Sequence, residues 1–274
     1  MEALSFVPNQ PVVSYILAGS LLVGVPVFAK TISSAGGPLL TRLASVHGLT
    51  LVLALSLLSL QKGNSLFIWH VIGMGVAVLA LQPAALHAIL SKHSAKDPEK
   101  RKSKVMEHKL LQISVLGCVV AGFLAIFLNK PAGFPGKHFQ SVHSLVGLFA
   151  IALMGFNMLH AAYRQGNPIA PKLLWVSVLH RTVGTLAFSA SLVAVILGLF
   201  NRTVVVDWAT KPVQFHRPQD WYVMSGWAKN THGDAKAWMF IGGTGMLLGM
   251  MMLTTPQRPR SAPVAEEAAG TKAD

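Results

Sequence analysis

Four histidines lie inside hydrophobic stretches of this 274-residue sequence. They are His70 in FIWHVIG, His108 in VMEHKLLQ, His143 in SVHSLVG and His180 in VLHRTVG, and they follow one another at nearly equal intervals. An ionisable side chain inside an apolar run is costly in a membrane and is therefore a candidate for function. Because imidazole is the commonest metal ligand in proteins, the four residues are candidate metal ligands.

The spacing of the histidines predicts two levels in a membrane. Each interval is about one membrane helix and one loop, so consecutive helices run antiparallel. His70 and His143 then share one depth, and His108 and His180 share the other. At ~1.5 Å per residue, the levels are roughly 15–20 Å apart. Two facing histidines match a six-coordinate haem iron, so the pairs predict two haems, and filled axial positions favour electron transfer over oxygen chemistry.

Small residues near these histidines give a further prediction. Gly147 and Gly184 each lie four residues after a proposed ligand, and Gly73 lies three after His70. These positions fall on the same helix face as the ligand, where we expect them to leave clearance for a flat macrocycle. The alternative is that the histidines only hydrogen-bond to neighbouring helices of the bundle.

Other histidines allow a rival arrangement. His87 follows His70 at the same interval at which His160 follows His143, so two haems could hang between one helix pair, as in quinone-oxidising cytochromes. This interval places the second histidine about 100° off the face of the first. We therefore predict that His87 and His160, together with His93, lie at helix ends or face headgroups. His47 could order a haem edge or bond a backbone carbonyl.

Composition predicts the setting of these residues, an all-α polytopic membrane bundle. The chain is 52% hydrophobic and 12% charged, with mean hydropathy +0.51, which is too few charges to cover a soluble domain of this size. Six core membrane helices plus an extra N-terminal segment are expected at 12–29, 39–61, 66–91, 106–129, 139–163, 175–200 and 237–254. The single cysteine, Cys118, excludes disulfides, cysteine-rich metal sites and covalent CxxCH haem attachment.

Three regions follow from these segments. Residues 1–36 form an N-terminal extension whose segment 12–29 is an extra membrane helix or, alternatively, a cleaved or interfacial segment. Residues 37–256 form the membrane core, with a long loop at 201–236 rich in aromatic residues, and residues 257–274 are expected to be a disordered tail. The chain shows no internal sequence repeat.

Charge predicts the orientation of the chain. The net charge is +13, but the basic residues lie mostly in loops, so they indicate topology and contact with lipid rather than nucleic acid. Of the 23 Lys and Arg residues, 15 fall on one side, which makes the loop 92–105 cytosolic. No Asp or Glu lies within an apolar run, since Glu107 is expected at a helix mouth. The carboxylate relay of a proton pump is therefore absent.

These motifs resemble the cytochrome b561 family. The similarity covers about 39–200, with 237–254 as the final helix, and is carried by GNSLFIWH, MEHKLLQ, SVHSLVG and LHRTVG. It implies six helices, two non-covalent haems b, ascorbate as cytosolic donor, and the pairs His70–His143 and His108–His180. The chain departs from the family pattern at Val71, where a proline is common, and at 84–90, where AALHAIL replaces the arginine-bearing LLVYR of ascorbate-using members.

The resulting hypothesis is a transmembrane oxidoreductase that moves electrons from a cytosolic reductant, ascorbate by resemblance, to monodehydroascorbate or a ferric chelate. The alternatives are a haem-containing subunit or anchor of a larger respiratory or photosynthetic complex, and a transporter without haem. The resemblance also implies a homodimer. The candidate substrate residues are Lys102, Lys104, Lys109, Lys172, Lys137 and His138.

Overall fold

The structure is a computed structural model, and it describes residues 11–34, 37–60, 65–129, 142–166, 178–199, 204–205, 214–215 and 242–250. Its helices are α1 (Pro11–Ser33), α2 (Leu39–Leu60), α3 (Leu66–Gly75), a π-helical turn (Val76–Leu81), α4 (Gln82–Ser94), α5 (Pro98–Asn129), α6 (Val142–Gly166), α7 (Val178–Leu199) and α8 (242–250). The two-residue strands Val204–Val205 and Gln214–Phe215 pair antiparallel. The predicted all-α helical bundle is confirmed.

Six helices of the described part are long and apolar enough to cross a membrane. They are α1, α2, the continuous span Leu66–Lys92, α5, α6 and α7. The prediction of a multi-pass integral membrane protein is therefore confirmed. The predicted segment 12–29 lies within α1, which contains Pro26. Most of the loop 201–236, the tail 257–274 and the side chain of His93 lie outside the described residues.

The span that carries His108 begins earlier than the sequence suggested. Asp97 caps α5, since its side chain accepts a hydrogen bond from the Glu99 backbone N–H at 2.9 Å, and Pro98 is the first helical residue. Both are favoured residues at a helix start. The expected start near residue 106 is therefore wrong. The expectation of Glu107 at a helix mouth is wrong as well, because Glu107 lies within α5 and is buried.

The helices assemble as two antiparallel hairpins, with the further helices α1, α2 and α8 beside them. The first hairpin is Leu66–Asn129, in which α3, the π-helical turn and α4 pack against α5; the second hairpin is Val142–Leu199, in which α6 packs against α7. Helix α1 packs against α5, and α2 packs against the span of α3 and α4. The end of the bundle that holds Ser33, Ser94 and Pro98 is called the basic end below, because Lys30, Arg42 and Lys102 lie there.

The π-helical turn meets α2 at a glycine. A Cβ atom added to Gly48 would overlap the Leu79 carbonyl, so only glycine allows this approach of the two backbones. All but the first residue of the turn are buried. Helix α2 is also tied to α8, because the His47 Nε2–H donates to the Gly243 carbonyl at 3.0 Å. Of the two roles considered for His47, the structure therefore supplies the bond to a backbone carbonyl.

Candidate haem sites

His70 and His143 meet at the end of the bundle opposite the basic end. Their ring centroids are 6.1 Å apart, and the ring planes are nearly perpendicular at 84°. His70 Nδ1 donates to the Gly122 carbonyl at 3.0 Å, and His143 Nδ1 donates to the Ala194 carbonyl at 2.7 Å. One ring comes from each hairpin, and each is anchored to the other helix of its own hairpin.

His108 and His180 form the corresponding pair at the basic end. His108 Nδ1 donates to the Ala85 carbonyl at 2.9 Å, and the His180 imidazole donates to the Asn157 carbonyl. The two rings are close enough for their charges to interact. The structure thus brings together the same two pairs of histidines that the sequence placed at common depths.

Anchoring to a carbonyl determines which ring nitrogen is available. A carbonyl oxygen can only accept, so the anchored nitrogen of each histidine must carry its proton. A neutral ring then keeps the lone pair on its other nitrogen, Nε2 for the three residues anchored through Nδ1. Metal-bound histidines almost always donate the remaining N–H to a carbonyl, carboxylate or water in this way. His70, His108 and His143 therefore have the hydrogen bonding of prepared metal ligands.

The two hairpins repeat the same hydrogen-bond pattern. His108 and His180 each bond a carbonyl on the preceding helix of their hairpin, while His70 and His143 each bond one on the following helix. The hairpins differ in one interval along their first helix, between its proposed ligand and the carbonyl that accepts from the other ligand. Ala85 lies one position further from His70 than Asn157 lies from His143. The π-helical turn lies in this interval and accommodates the extra residue. The structure thus shows a repeat that the sequence did not reveal.

The donor set of His70 and His143 fits haem. A metal–imidazole bond is about 2 Å long, so two imidazoles on opposite faces of one metal have ring centres roughly 6 Å apart. The His70–His143 separation agrees with this value. Within the described residues no three His, Cys, Asp or Glu side chains form a metal-binding group. A site with two imidazoles therefore needs equatorial ligands from a prosthetic group, which a porphyrin supplies.

Two arginines support the fit at the basic end, and the sequence reasoning missed both. The Nε atoms of Arg164 on α6 and Arg181 on α7 are buried and have no hydrogen-bond partner in the described part of the chain. Arg181 directly follows the candidate ligand His180. A guanidinium group pairs well with carboxylates, so a haem propionate or an anionic reductant would provide the missing partner.

Comparison with known proteins agrees with this geometry. The family model of eukaryotic cytochrome b561 matches residues 69–206, which is half of the chain and includes all four histidines. The chain belongs to the cytochrome b561 family. The resemblance inferred from the histidine motifs is thereby confirmed.

A mouse (Mus musculus) relative of this cytochrome b561 is named transmembrane reductase CYB561D2. The two sequences are 29% identical over 148 residues, which is 52% of this chain and 64% of the mouse protein. The chain thus spans less than two thirds of the length of the relative that it matches. No solved structure matches the chain.

The glycines of this cytochrome b561 differ in their roles from those predicted. A Cβ atom at Gly73 would lie 3.1 Å from the Cys118 carbonyl, and one at Gly184 would lie 3.0 Å from Asn157 Nδ2. Both glycines therefore allow close helix packing, and the prediction that they provide haem clearance is wrong. A Cβ atom at Gly147 would have no neighbour within 4 Å. A Cβ atom at Gly198, a residue that the sequence did not single out, would lie 3.0 Å from the His143 ring.

His87 occupies a polar position inside the bundle. It is fully buried, its Nδ1 is 2.7 Å from the Thr41 hydroxyl on α2, and its Nε2 is 3.4 Å from the Ser91 hydroxyl. The prediction that His87 lies at a helix end or faces headgroups is therefore wrong, because His87 is buried within α4. Since His87 bonds α2, it does not face α6 as the quinone-type arrangement requires. His160 is half-buried, stacks on Phe156 and lies close enough to His180 for their charges to interact.

The candidate substrate residues have different surroundings. Lys102 is exposed and forms an ion pair with Glu99 at 2.7 Å, and Lys109 is half-buried beside His108. The Lys104 side chain is only 12% exposed and contacts Glu107 and Ser34 at 2.8 and 2.7 Å. Lys137, His138 and Lys172 lie outside the described residues. A substrate role for each of these residues stays a prediction.

Proposed function

We propose that the chain transfers electrons across a membrane through two bis-histidine haems b. The observation that supports this best is that four histidines on two hairpins form two pairs, and each ring is oriented by a backbone carbonyl. The pairs lie at opposite ends of the helices, since ~1.5 Å per residue over the interval from His70 to Ala85 gives roughly 20 Å. Haem iron supplies one-electron chemistry when bound.

The residues of the chain determine how such a carrier works. The carbonyl bonds hold each imidazole in one tautomer and one orientation, so the ligand geometry is fixed before an electron arrives. Two histidines would hold each haem, and a haem held by two imidazoles would supply electron transfer rather than oxygen binding. The apolar helices between the pairs exclude water and ions. Electrons can therefore cross without coupled ion flow.

We propose that the basic end faces the cytosol and receives electrons from ascorbate or a similar small anion. The excess of Lys and Arg there follows the positive-inside rule. Lys109 and the half-buried side chains of Arg164 and Arg181, whose Nε atoms are buried, lie on the helices of the two hairpins that meet at His108 and His180, and they would attract an anion. Monodehydroascorbate or a ferric chelate is the proposed acceptor at the opposite end.

Reconstitution of the purified chain tests the proposed function. A reduced-minus-oxidised spectrum and a haemochrome assay are expected to give two haems b per chain. Vesicles that contain ascorbate are expected to reduce an external ferric chelate only when the chain is present. If the purified chain contained no haem, the alternative of a transporter without haem would replace the proposed function. A chain with two haems that ascorbate does not reduce would instead be a subunit of a larger electron-transfer complex.

Electrostatic attraction at the basic end gives a second prediction. The double variant Lys102→Gln/Lys109→Gln is expected to be reduced by ascorbate about tenfold more slowly at low salt, because charge steering raises such rates by 10-fold or more. The difference should vanish at high salt, since screening acts over ~8–10 Å at physiological ionic strength. Stopped-flow absorbance of the haem band measures the rates. An uncharged reductant is the control and should react equally with both proteins.

A wild-type rate that does not change with salt would contradict the docking role of these lysines. The same holds if the double variant matches wild type at every ionic strength. In either case the lysines serve only to set the topology and to bind anionic lipid headgroups.

A further inference from the structure

A buried carboxylate joins α1 to α5 at the basic end. The Glu107 side chain is 4% exposed and contacts the ammonium groups of Lys30 at 3.2 Å and Lys104 at 2.8 Å. It also accepts hydrogen bonds from Thr31 at 3.2 Å and Ser103 at 3.3 Å. Lys30 and Thr31 belong to α1, whereas the other members belong to α5. These five residues are called the Glu107 cluster below.

The remaining contact between α1 and α5 depends on small residues. A Cβ atom at Gly24 would lie 3.0 Å from Ser114 Cβ, and one at Gly117 would overlap the Ser20 hydroxyl. The two helices therefore lie close together from the basic end to the middle of the bundle. Large apolar side chains on the outer side of α1 are exposed, such as Tyr15 at 77% and Leu22 at 77%. The main partner of α1 among the described helices is thus α5.

Glu107 directly precedes His108, so the two side chains leave α5 about 100° apart. Glu107 faces α1, and His108 faces the Ala85 carbonyl on α4. We propose that α1, through the Glu107 cluster, is a positioning element that fixes the rotation of α5 and thereby the orientation of the His108 imidazole. This inference rests on the proposed function, in which His108 binds the haem of the basic end.

The energetic reason is the cost of removing partners from a buried carboxylate, since the Glu107 side chain is 4% exposed whereas that of Lys30 is 64% exposed. Rotation of α5 would move Glu107 away from Lys30 and Thr31 and keep only Lys104 and Ser103, which lie on α5 as well, so the carboxylate would lose its two partners from α1. The cluster therefore favours a single rotation of α5 near its basic end. Because groups outside the ligand shell orient metal-bound histidines, a loss of this restraint is expected to change haem binding at His108.

Lys30→Met is the test variant, because Lys30 contacts α5 only through Glu107 and Ser103 in the contacts described. We expect haem affinity at the basic end to fall about tenfold, the lower part of the range for outer-shell changes, while the other haem is retained. Transfer of haem to excess apomyoglobin measures the affinity. The electron paramagnetic resonance signal of the ferric haem reports the ligand geometry, and His108→Ala assigns the signals to the two ends.

Two comparisons separate positioning from charge and from general instability. Lys100→Met removes the same charge from an exposed α5 residue outside the cluster and is expected to match wild type, and Lys30→Arg is expected to restore wild-type behaviour. Gly24→Leu keeps every charge but pushes α1 away from Ser114, and it should weaken the same haem as Lys30→Met.

The possible outcomes distinguish this inference from the proposed function. A wild-type chain that binds no haem would overturn the proposed function and with it the inference. Two normal haems in wild type, with Lys30→Met and Gly24→Leu indistinguishable from Lys100→Met, would overturn the inference alone. Equal weakening of both haems by Lys30→Met would also reject it, because the cluster would then stabilise the whole bundle rather than position His108.

Discussion

His108→Ala is expected to reduce the haem content of the purified chain from two to one. The haem at the basic end would lose one of its two axial imidazoles, whereas His70 and His143 remain 6.1 Å apart at the opposite end. Their anchoring carbonyls at Gly122 and Ala194 are also remote from the change. A haemochrome assay and the reduced-minus-oxidised spectrum measure the loss. His70→Ala is expected to remove the other haem and leave the one at the basic end.

Rescue by free imidazole separates ligand loss from misfolding. His108→Gly leaves space for an exogenous ring, so added imidazole is expected to restore the second haem in a correctly folded chain. His47→Ala is the control, because His47 bonds the Gly243 carbonyl and belongs to neither pair. The assignment of ligands would be wrong if alanine could replace each of the four proposed ligand histidines in turn and every variant kept two haems with unchanged spectra.

The sequence predicted the pairing of the histidines because depth depends only on spacing. Membrane helices have similar lengths, so nearly equal intervals between the four histidines place every second one at the same level. In the structure the His70 and His143 rings lie 6.1 Å apart, and the role of the four residues as haem ligands stays a prediction. The helices and their approximate bounds were also predicted, because an apolar run long enough to cross a bilayer has few alternatives to a helix.

The anchoring carbonyls could not be predicted in this way. Any residue supplies a backbone carbonyl, so Ala85, Gly122 and Ala194 have no distinctive side chain that marks them as acceptors. The glycine roles were misjudged for a related reason. Gly73 and Gly184 lie close to a proposed ligand in sequence, but the backbone or side chain that they face belongs to another helix.

The early start of α5 had a signal that the sequence reasoning overlooked. Asp97-Pro98-Glu99 is a favourable helix start, with a capping carboxylate, a proline at the first position and an acidic first turn. The basic residues that follow Glu99 are polar, so the apolar run of this helix begins only near residue 106. The helix continues out of the apolar region, and Glu107 therefore lies inside it with partners from α1.

The repeat was hidden by a single extra residue. The interval between the proposed ligands of the first hairpin is one position longer than that of the second, and the π-helical turn explains the difference. The same turn changes the rotation along the span of α3 and α4. His87 and His160 therefore have different surroundings, although each follows a proposed ligand at the same interval. His87 bonds Thr41, whereas His160 stacks on Phe156.

Deletion of Ala77 from the π-helical turn is therefore expected to leave both haems in place. It would shorten the interval from His70 to Ala85 by one position, which makes it equal to the interval from His143 to Asn157 in the uninterrupted helix α6. The turn can then become regular α-helix while the residues on either side keep their positions. Haem content and thermal unfolding measure the result. A moderate loss of stability is expected, because Ala77 is fully buried.

Deletion of Ala152 from α6 is the matched comparison, since it also removes one alanine, here between His143 and the Asn157 carbonyl that accepts from His180. Helix α6 has no π-helical turn to absorb the change, so the deletion rotates one end by ~100° and shifts it by ~1.5 Å relative to the other. Either His143 or the Asn157 carbonyl must then leave its partner, and we expect loss of at least one haem. Equal haem loss in both deletions would show that the π-helical turn does not compensate for the extra residue. Retention after the first deletion and loss after the second would establish that the two hairpins hold their ligands in one common register.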